Sequence, residues 1–304
     1  MKIKNFIAGI AMSYFLLLVT ALSMSAQQPN VSLSDQMDYL IAPLDFTEVT
    51  SGLLLDRGLQ TMNVADFDGT TIADTLIQYG DWFRQYGTMV TSKVTSTSTL
   101  GETANWKPQA DSLLRSDVVP ILILHANYHK LIEDSVLLTS LITEQNGQMH
   151  DVINRGTSPY EVQEIFSFSP KKNSVDDLLS QDFRIDTQFF RSNTGKTIST
   201  IEIDFNNGSG YQIMTFGVDE KVTWSTTGKK YLTLKVTYTD ASTYYAKSLY
   251  EIIDKTGGQP KYYGSPNQVL YIPHPSIPNH GATVSIDYGC GNSNLQKPFI
   301  YVSI

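Results

Sequence analysis

Cysteine is almost absent: Cys290 stands alone in 304 residues. One thiol cannot close an intrachain disulfide or build a cysteine-based zinc site. In Tyr288-Gly289-Cys290-Gly291-Asn292 it has no charged neighbour to activate it, so it reads as an unreactive thiol. Charge is scarce as well. Asp, Glu, Lys and Arg make up 17% of the chain, below the usual quarter, and Ser, Thr, Asn and Gln carry the polar share. That bias suits β-rich exported proteins. There is no run of Lys and Arg, and the formal charge is -8, so the clustered basic surface that nucleic-acid phosphates require is missing. Neither a Gly-x-Ser-x-Gly elbow nor a Walker-type glycine loop occurs. Apolar residues are not lacking. At 41% they suffice for true cores and exclude wholesale disorder.

The N-terminus has the organisation of an export signal. Lys2 and Lys4 precede the almost wholly apolar stretch from Phe6 to Leu22, and Ser23-Met24-Ser25-Ala26-Gln27 places small residues where signal peptidase needs them. Residues 1–26 are therefore read as a signal peptide, cleaved after Ala26 or after Ser25. The competing reading is an uncleaved anchor, for which the run falls just short of the roughly 20 residues that span a bilayer. Cleavage leaves residues 27–304 with a charge of -10. The expected location is the periplasm, the cell surface or the medium, with membrane contact only through the signal segment during export.

Residues 27–180 read as a mixed α/β module. A short helix is expected near Leu33 to Ile41 and a longer one over 70–92, where Ile72, Leu76, Tyr79, Phe83, Tyr86 and Val90 form one apolar stripe. Gly80 and Gly87 lie beside that stripe, which suggests close packing of another element. A further helix is expected from Pro108 to Arg115. Val118 to Leu124 reads as a buried strand, which Pro120 would keep from a central position. Val136 to Ile142 fits either helix or strand.

From about residue 183 the period becomes two. Ile201, Ile203 and Phe205, then Val222 and Trp224, then Leu232, Leu234, Val236 and Tyr238 alternate with polar residues. Turns are explicit at Asn206-Asn207-Gly208-Ser209-Gly210, Thr226-Thr227-Gly228 and Thr239-Asp240. Regularly spaced strands of this kind predict an antiparallel sandwich. The segments from Ile201 to Gly208 and from Ser225 to Val236 resemble a PKD (polycystic-kidney-disease type) immunoglobulin-like domain, with Asn206 and Asn207 where that family more often has Gly and Asp. The resemblance implies a small sandwich over 181–256.

More widely, Ser51-Gly52-Leu53-Leu54-Leu55-Asp56-Arg57-Gly58, the PKD-like segment and Leu295 to Val302 resemble the N-terminal half of large secreted bacterial proteins that continue into an α/β-hydrolase-like domain. The expected fold class is thus an α+β N-terminal module followed by an all-β, PKD-like sandwich. Residues 257–304 are read as a β segment and the truncated start of a further domain. Ala282, Val284, Ile286 and Tyr288 alternate there, and Phe299-Ile300-Tyr301-Val302 has the composition with which a parallel sheet opens.

Four constellations carry residue types that could do chemistry or bind a ligand. Asp66-Phe67-Asp68-Gly69-Thr70 resembles motif I of haloacid-dehalogenase-type phosphatases, in which the first Asp is nucleophile, the second a general acid/base, and Mg²⁺ balances charge. That chemistry needs a buried strand before the first Asp, and Gln60-Thr61-Met62-Asn63 is too polar for one. The rival reading is a loop that starts the helix from Thr70. His125 and His129 are spaced as zinc ligands on a helix would be, but Ala126 replaces the Glu of His-Glu-x-x-His, and on a strand the two lie about 13 Å apart. They read as partly buried histidines. Asp204, Asn206, Asn207 and Ser209 could offer oxygens to calcium, or simply shape a turn. Tyr244-Tyr245 and Tyr262-Tyr263 could contact glycan, or be half-buried sheet residues.

These readings lead to a non-catalytic exported protein of the cell envelope with no cofactor and no metal. Its role would be spacing, presentation or weak binding of glycan or envelope protein. The alternatives are an accessory half of a secreted hydrolase and an Mg²⁺-dependent phosphatase built on Asp66 and Asp68.

Overall fold

The computed structural model describes residues 32–253, except 59, 61, 71–75, 96–99 and 177, together with the backbone of three strands between 268 and 303. The signal peptide, Cys290, Tyr262 and Tyr263 lie outside the described residues. In chain order the helices are α1 (Leu33–Ile41), α2 (Tyr79–Thr91), α3 (Lys107–Arg115) and α4 (Ser135–Leu141). The strands are β1 (Leu76–Ile77), β2 (Val118–Leu131), β3 (Ile142–Gln145), β4 (Gln148–Asp151), β5 (Tyr160–Pro170), β6 (Ser174–Asp176), β7 (Ser180–Arg184), β8 (Phe190–Ser192), β9 (Ile198–Asp204), β10 (Tyr211–Ile213), β11 (Asp219–Thr223), β12 (Gly228–Tyr238), β13 (Thr243–Ile253), β14 (Gln268–Pro273), β15 (Gly281–Asp287) and β16 (Phe299–Ser303). The chain is mixed α/β with strands predominating, and among the described residues its α-helices all precede residue 142.

Two sheets share one hydrophobic core. One runs β11-β7-β2-β5, with β8 also on β2; the other runs β1-β13-β12-β9-β10, with β6 also on β13. The alternation in β9 and β12 is what makes them half-buried: Ile201, Ile203, Leu232, Leu234, Val236 and Tyr238 point into the core, where they meet Ile121, Ile123, Phe166, Phe168 and Phe183. Trp224 closes one end and donates from Nε1 to the carbonyl of Phe205 at 2.8 Å. The two-residue-period face predicted from sequence is therefore the face that packs. The boundary expected at 180/181 falls inside β7, and β7 pairs with β2 from the preceding segment. Strands from 118–176 thus contribute to both sheets.

β2 explains its own composition. Val119, Ile121 and Ile123 face the intersheet core, while Leu122, Leu124, Ala126 and Tyr128 face a second core under α2 and α3. A strand covered on both sides reads as a continuous apolar run. Contrary to the expectation from Pro120, this strand is central. The proline is tolerated because Pro120↔Arg184 is the last pair with β7 and Ile121↔Pro170 the first with β5, so the missing N–H falls at a seam between ladders.

The long helix also differs from its prediction. Leu76 and Ile77 pair in parallel with Lys247 and Ser248, and the Ser248 hydroxyl donates to the Ile77 carbonyl at 2.9 Å. The helix begins only at Tyr79, behind a reciprocal Gln78/Asp81 cap. Its buried face is Trp82, Gln85, Tyr86, Thr88 and Met89; of the predicted stripe Tyr86 is fully buried there and Tyr79 and Val90 pack against the same core, whereas Phe83 is exposed. Trp82, Tyr86 and Trp106 stack and cross edge-to-face there. Gly80 and Gly87 face open space, so close packing does not explain them. Val136–Ile142 resolves into α4 followed by the first residue of β3. Phe299–Ser303 pairs antiparallel with β15, not in a parallel sheet. No helix among the described residues is long and apolar enough to cross a membrane.

Candidate functional site

The strongest polar constellation lies between the two sheets. His125 is fully buried on β2, and its Nε2 lies 2.7 Å from Glu164 Oε1 on β5. Its Nδ1 contacts the Tyr238 hydroxyl on β12. The other oxygen of Glu164 accepts from the Tyr244 hydroxyl on β13 at 2.9 Å. A carboxylate can only accept, so Nε2 donates to Glu164, while Nδ1 and the Tyr238 hydroxyl share the second hydrogen bond. Burial pushes Glu164 up, but the hydrogen bond and charge of His125, the Tyr244 hydroxyl and the Lys196 charge outweigh it, and its carboxyl stays below its ordinary value. Burial first, then Tyr244 and Glu164, pushes Tyr238 well up and keeps its phenol protonated.

The cluster reaches solvent through Lys196. Its Nζ donates to Asp240 Oδ2 at 2.9 Å and Ser242 Oγ at 3.0 Å, and lies over the rings of Tyr238 and Tyr244 at 5.6 and 5.5 Å. The Asp240 hydrogen bond holds Lys196 above its ordinary value, so the amine is a cation and not a nucleophile. A depression of about 310 Å³ lies outside, lined by Thr194, Gly195, Lys196, Thr197, Thr239 and Asp240. Both ring nitrogens of His125 are engaged inside the protein, which leaves no lone pair or proton directed at a bound molecule. The network ties four strands from two sheets together. Nothing in the sequence spacing links Glu164, Lys196 and Tyr238 to His125, since they stand 39, 71 and 113 positions away.

Asp66 and Asp68 lie in a loop. Residues 62–70 contain no strand, so the buried strand that the phosphatase motif needs does not precede Asp66. Asp66 accepts from Asn63 Nδ2 at 2.8 Å, and Asp68 accepts from the Thr70 N–H at 2.8 Å. The described helix after this turn starts at Tyr79, beyond β1, and residues 71–75 lie outside the described residues. The loop bridges the sheets. The Phe67 carbonyl accepts from Phe166 N–H at 2.6 Å, and the Gly69 carbonyl from Tyr245 N–H at 2.8 Å. Burial, with Asp66 nearby, pushes the Tyr128 phenol up to about 12.

His129 is buried, and its Nδ1 lies 2.8 Å from Ser51 Oγ. Burial lowers its pKa, so it is neutral at physiological pH. The same hydroxyl bonds the Leu53 carbonyl at 3.1 Å and accepts from the Leu53 N–H at 3.2 Å, as a turn-shaping serine does. His125 and His129 thus have separate partners and do not converge. Asp204 Oδ1 accepts from Asn206 N–H at 2.8 Å and Asn207 Oδ1 from Ser209 N–H at 3.0 Å, so this turn spends its oxygens on its own backbone. Among the described residues no three His, Cys, Asp or Glu side chains come together as metal ligands. Tyr244 faces the core, and Tyr245 is half-buried beside it.

The outer face of the β10-β9-β12-β13 sheet carries two exposed tyrosines, Tyr211 and Tyr231. Register aligns Ile213, Glu202, Lys235 and Tyr245 in one row across four strands. Lys235 pairs with Glu202 at 2.8 Å and lies over the Tyr211 ring at 5.8 Å. Tyr211 and Tyr231 are 43% and 51% exposed. No family model matches the chain, and no curated protein matches it.

Proposed function

We propose that this chain is a non-catalytic exported protein of the cell envelope or extracellular space. Its two-sheet body is read as a PKD-like, immunoglobulin-type sandwich that acts as a spacer and offers a weak binding surface for glycan or envelope protein. One observation carries this reading: the polar groups divide between inside and outside. Inside, His125, Glu164, Tyr238 and Tyr244 satisfy one another across the sheets. Outside, Tyr211 and Tyr231 remain exposed on the face that carries Thr233 and the Lys235–Glu202 pair. Aromatic rings among hydroxyl and charged groups suit the apolar face and hydroxyls of a sugar.

The test is a titration of the purified chain with soluble envelope-type oligosaccharides, followed by NMR. The expected result is shift changes confined to Tyr211, Tyr231, Tyr245 and their neighbours, with affinity near 1 mM, about -4 kcal/mol. No response at about 10 mM sugar removes the glycan part of the reading.

The Ser51–His129 contact favours a second reading, in which Ser51 is a nucleophile with a neutral histidine as its base. Covalent labelling of Ser51 by a fluorophosphonate is the result that would favour it.

A further inference from the structure

We infer that β10 is a self-association edge at which two copies of this chain pair antiparallel and join their sheets. This goes beyond the proposed role as a spacer and does not depend on it.

An open sheet edge invites pairing, and folded proteins protect their edges. Of the four ends of the two large sheets, three carry such protection. The edge of β13 is covered by β1, by β6 and by the Gly69 carbonyl. The edge of β5 receives the Phe67 carbonyl. The edge strand β11 carries the charged side chains Asp219, Glu220 and Lys221, which pairing with another strand would have to desolvate. The fourth edge, β10, is Tyr211-Gln212-Ile213, with no charge and no proline. Among the described residues it pairs only with β9.

Register shows which backbone groups it offers. Met214 N–H donates to the Ile201 carbonyl, and Gln212 lies opposite Ile203, so even-numbered residues bond inward. The N–H and C=O of Tyr211 and Ile213 therefore point away from β9. Their side chains are 43% and 67% exposed, both on the outer face.

The strand is complementary to itself. Antiparallel pairing about a dyad at Gln212 sets Tyr211 opposite Ile213 of the second copy, and Ile213 opposite its Tyr211. Both pairs are of the hydrogen-bonded kind, giving four backbone hydrogen bonds. Each joins an aromatic to a β-branched side chain, a favourable cross-strand combination. The acids of β9 do not oppose it. Glu202 is paired with Lys235, and the two β9 strands would lie three strand spacings apart, about 14 Å, beyond the screening length at physiological salt.

The contact is small, so the dissociation constant is expected on the order of 0.1 mM. Sedimentation equilibrium of the purified chain from about 10 µM to about 1 mM should show the mass rise toward twice the monomer, more readily at high salt because both copies are acidic. Ile213→Lys should stay monomeric throughout. Its side chain is exposed, so its far-UV spectrum and unfolding curve should match wild type. Thr223→Lys, on the charged edge β11, should dimerise as wild type does. Hydrogen exchange should show the amides of Tyr211 and Ile213 gaining protection with concentration, while Gln212 does not change. A wild type that stays monomeric at about 1 mM overturns the inference, and so does a dimer that Ile213→Lys leaves intact.

Discussion

Gly69→Ala tests whether the Asp-Phe-Asp-Gly-Thr loop is a structural seam. Gly69 has φ +75, and a Cβ built there would lie 2.7 Å from Tyr244 Cδ1 and 2.8 Å from Phe166 Cβ. Those two rings belong to different sheets, and the neighbouring carbonyls hold the edges of both. A left-handed backbone costs a residue with a Cβ about 1–2 kcal/mol. Overpacking a filled core costs about 1–3 kcal/mol more. The sum is about 2–5 kcal/mol, a lowering of the urea midpoint by about 0.7–1.7 M at a slope of roughly 3 kcal/mol/M. Gly87→Ala supplies the opposite sign. It sits in the helix Tyr79–Thr91 with nothing within 4 Å of its Cβ position, so the exchange should stabilise by about 0.5–1 kcal/mol. Equilibrium urea unfolding of both variants is the assay. A Gly69→Ala variant within about 0.5 kcal/mol of wild type would refute the seam argument.

Three further outcomes follow from the same geometry. Glu164 is held below its ordinary value of 4.5 in the folded chain, so its contribution to stability is present above that pH and is lost as pH falls through the folded value. Wild type should therefore lose stability more steeply than Glu164→Gln as pH drops below 4.5 in urea titrations; parallel curves would mean that the His125 and Tyr244 contacts contribute nothing. Millimolar calcium should leave the melting temperature unchanged, since Asp204 and Asn207 already serve backbone N–H groups, and a rise of several degrees would reveal a site there. A fluorophosphonate should leave Ser51 unlabelled by mass spectrometry, because its hydroxyl is engaged by Leu53 on both sides; stoichiometric labelling would show an activated nucleophile.

Legibility from sequence followed solvent exposure. β9 and β12 have one wet face and one dry face, so their alternation exposed them residue by residue. β5 does not alternate, because Ile165 to Pro170 are buried on both sides, and it could not be read. The helix stripe was legible only in part because Gln85, a polar residue, is fully buried at the centre of the packed face, while Leu76 belongs to a strand. Such placement depends on tertiary partners that local periodicity does not see. At the intersheet cluster, the sequence marks His125 only as a partly buried histidine, and its partners come from β5, β12 and β13. Only the sheet register brings them together.

The most direct measurement of the central claim is turnover. The purified chain should be assayed with p-nitrophenyl esters, phosphates and glycosides, with and without Mg²⁺, beside Ser51→Ala, Asp66→Asn and Glu164→Gln. The account predicts that all four proteins match the uncatalysed rate on every substrate. A rate present in wild type and abolished in one of those variants would contradict it and name the catalytic residue.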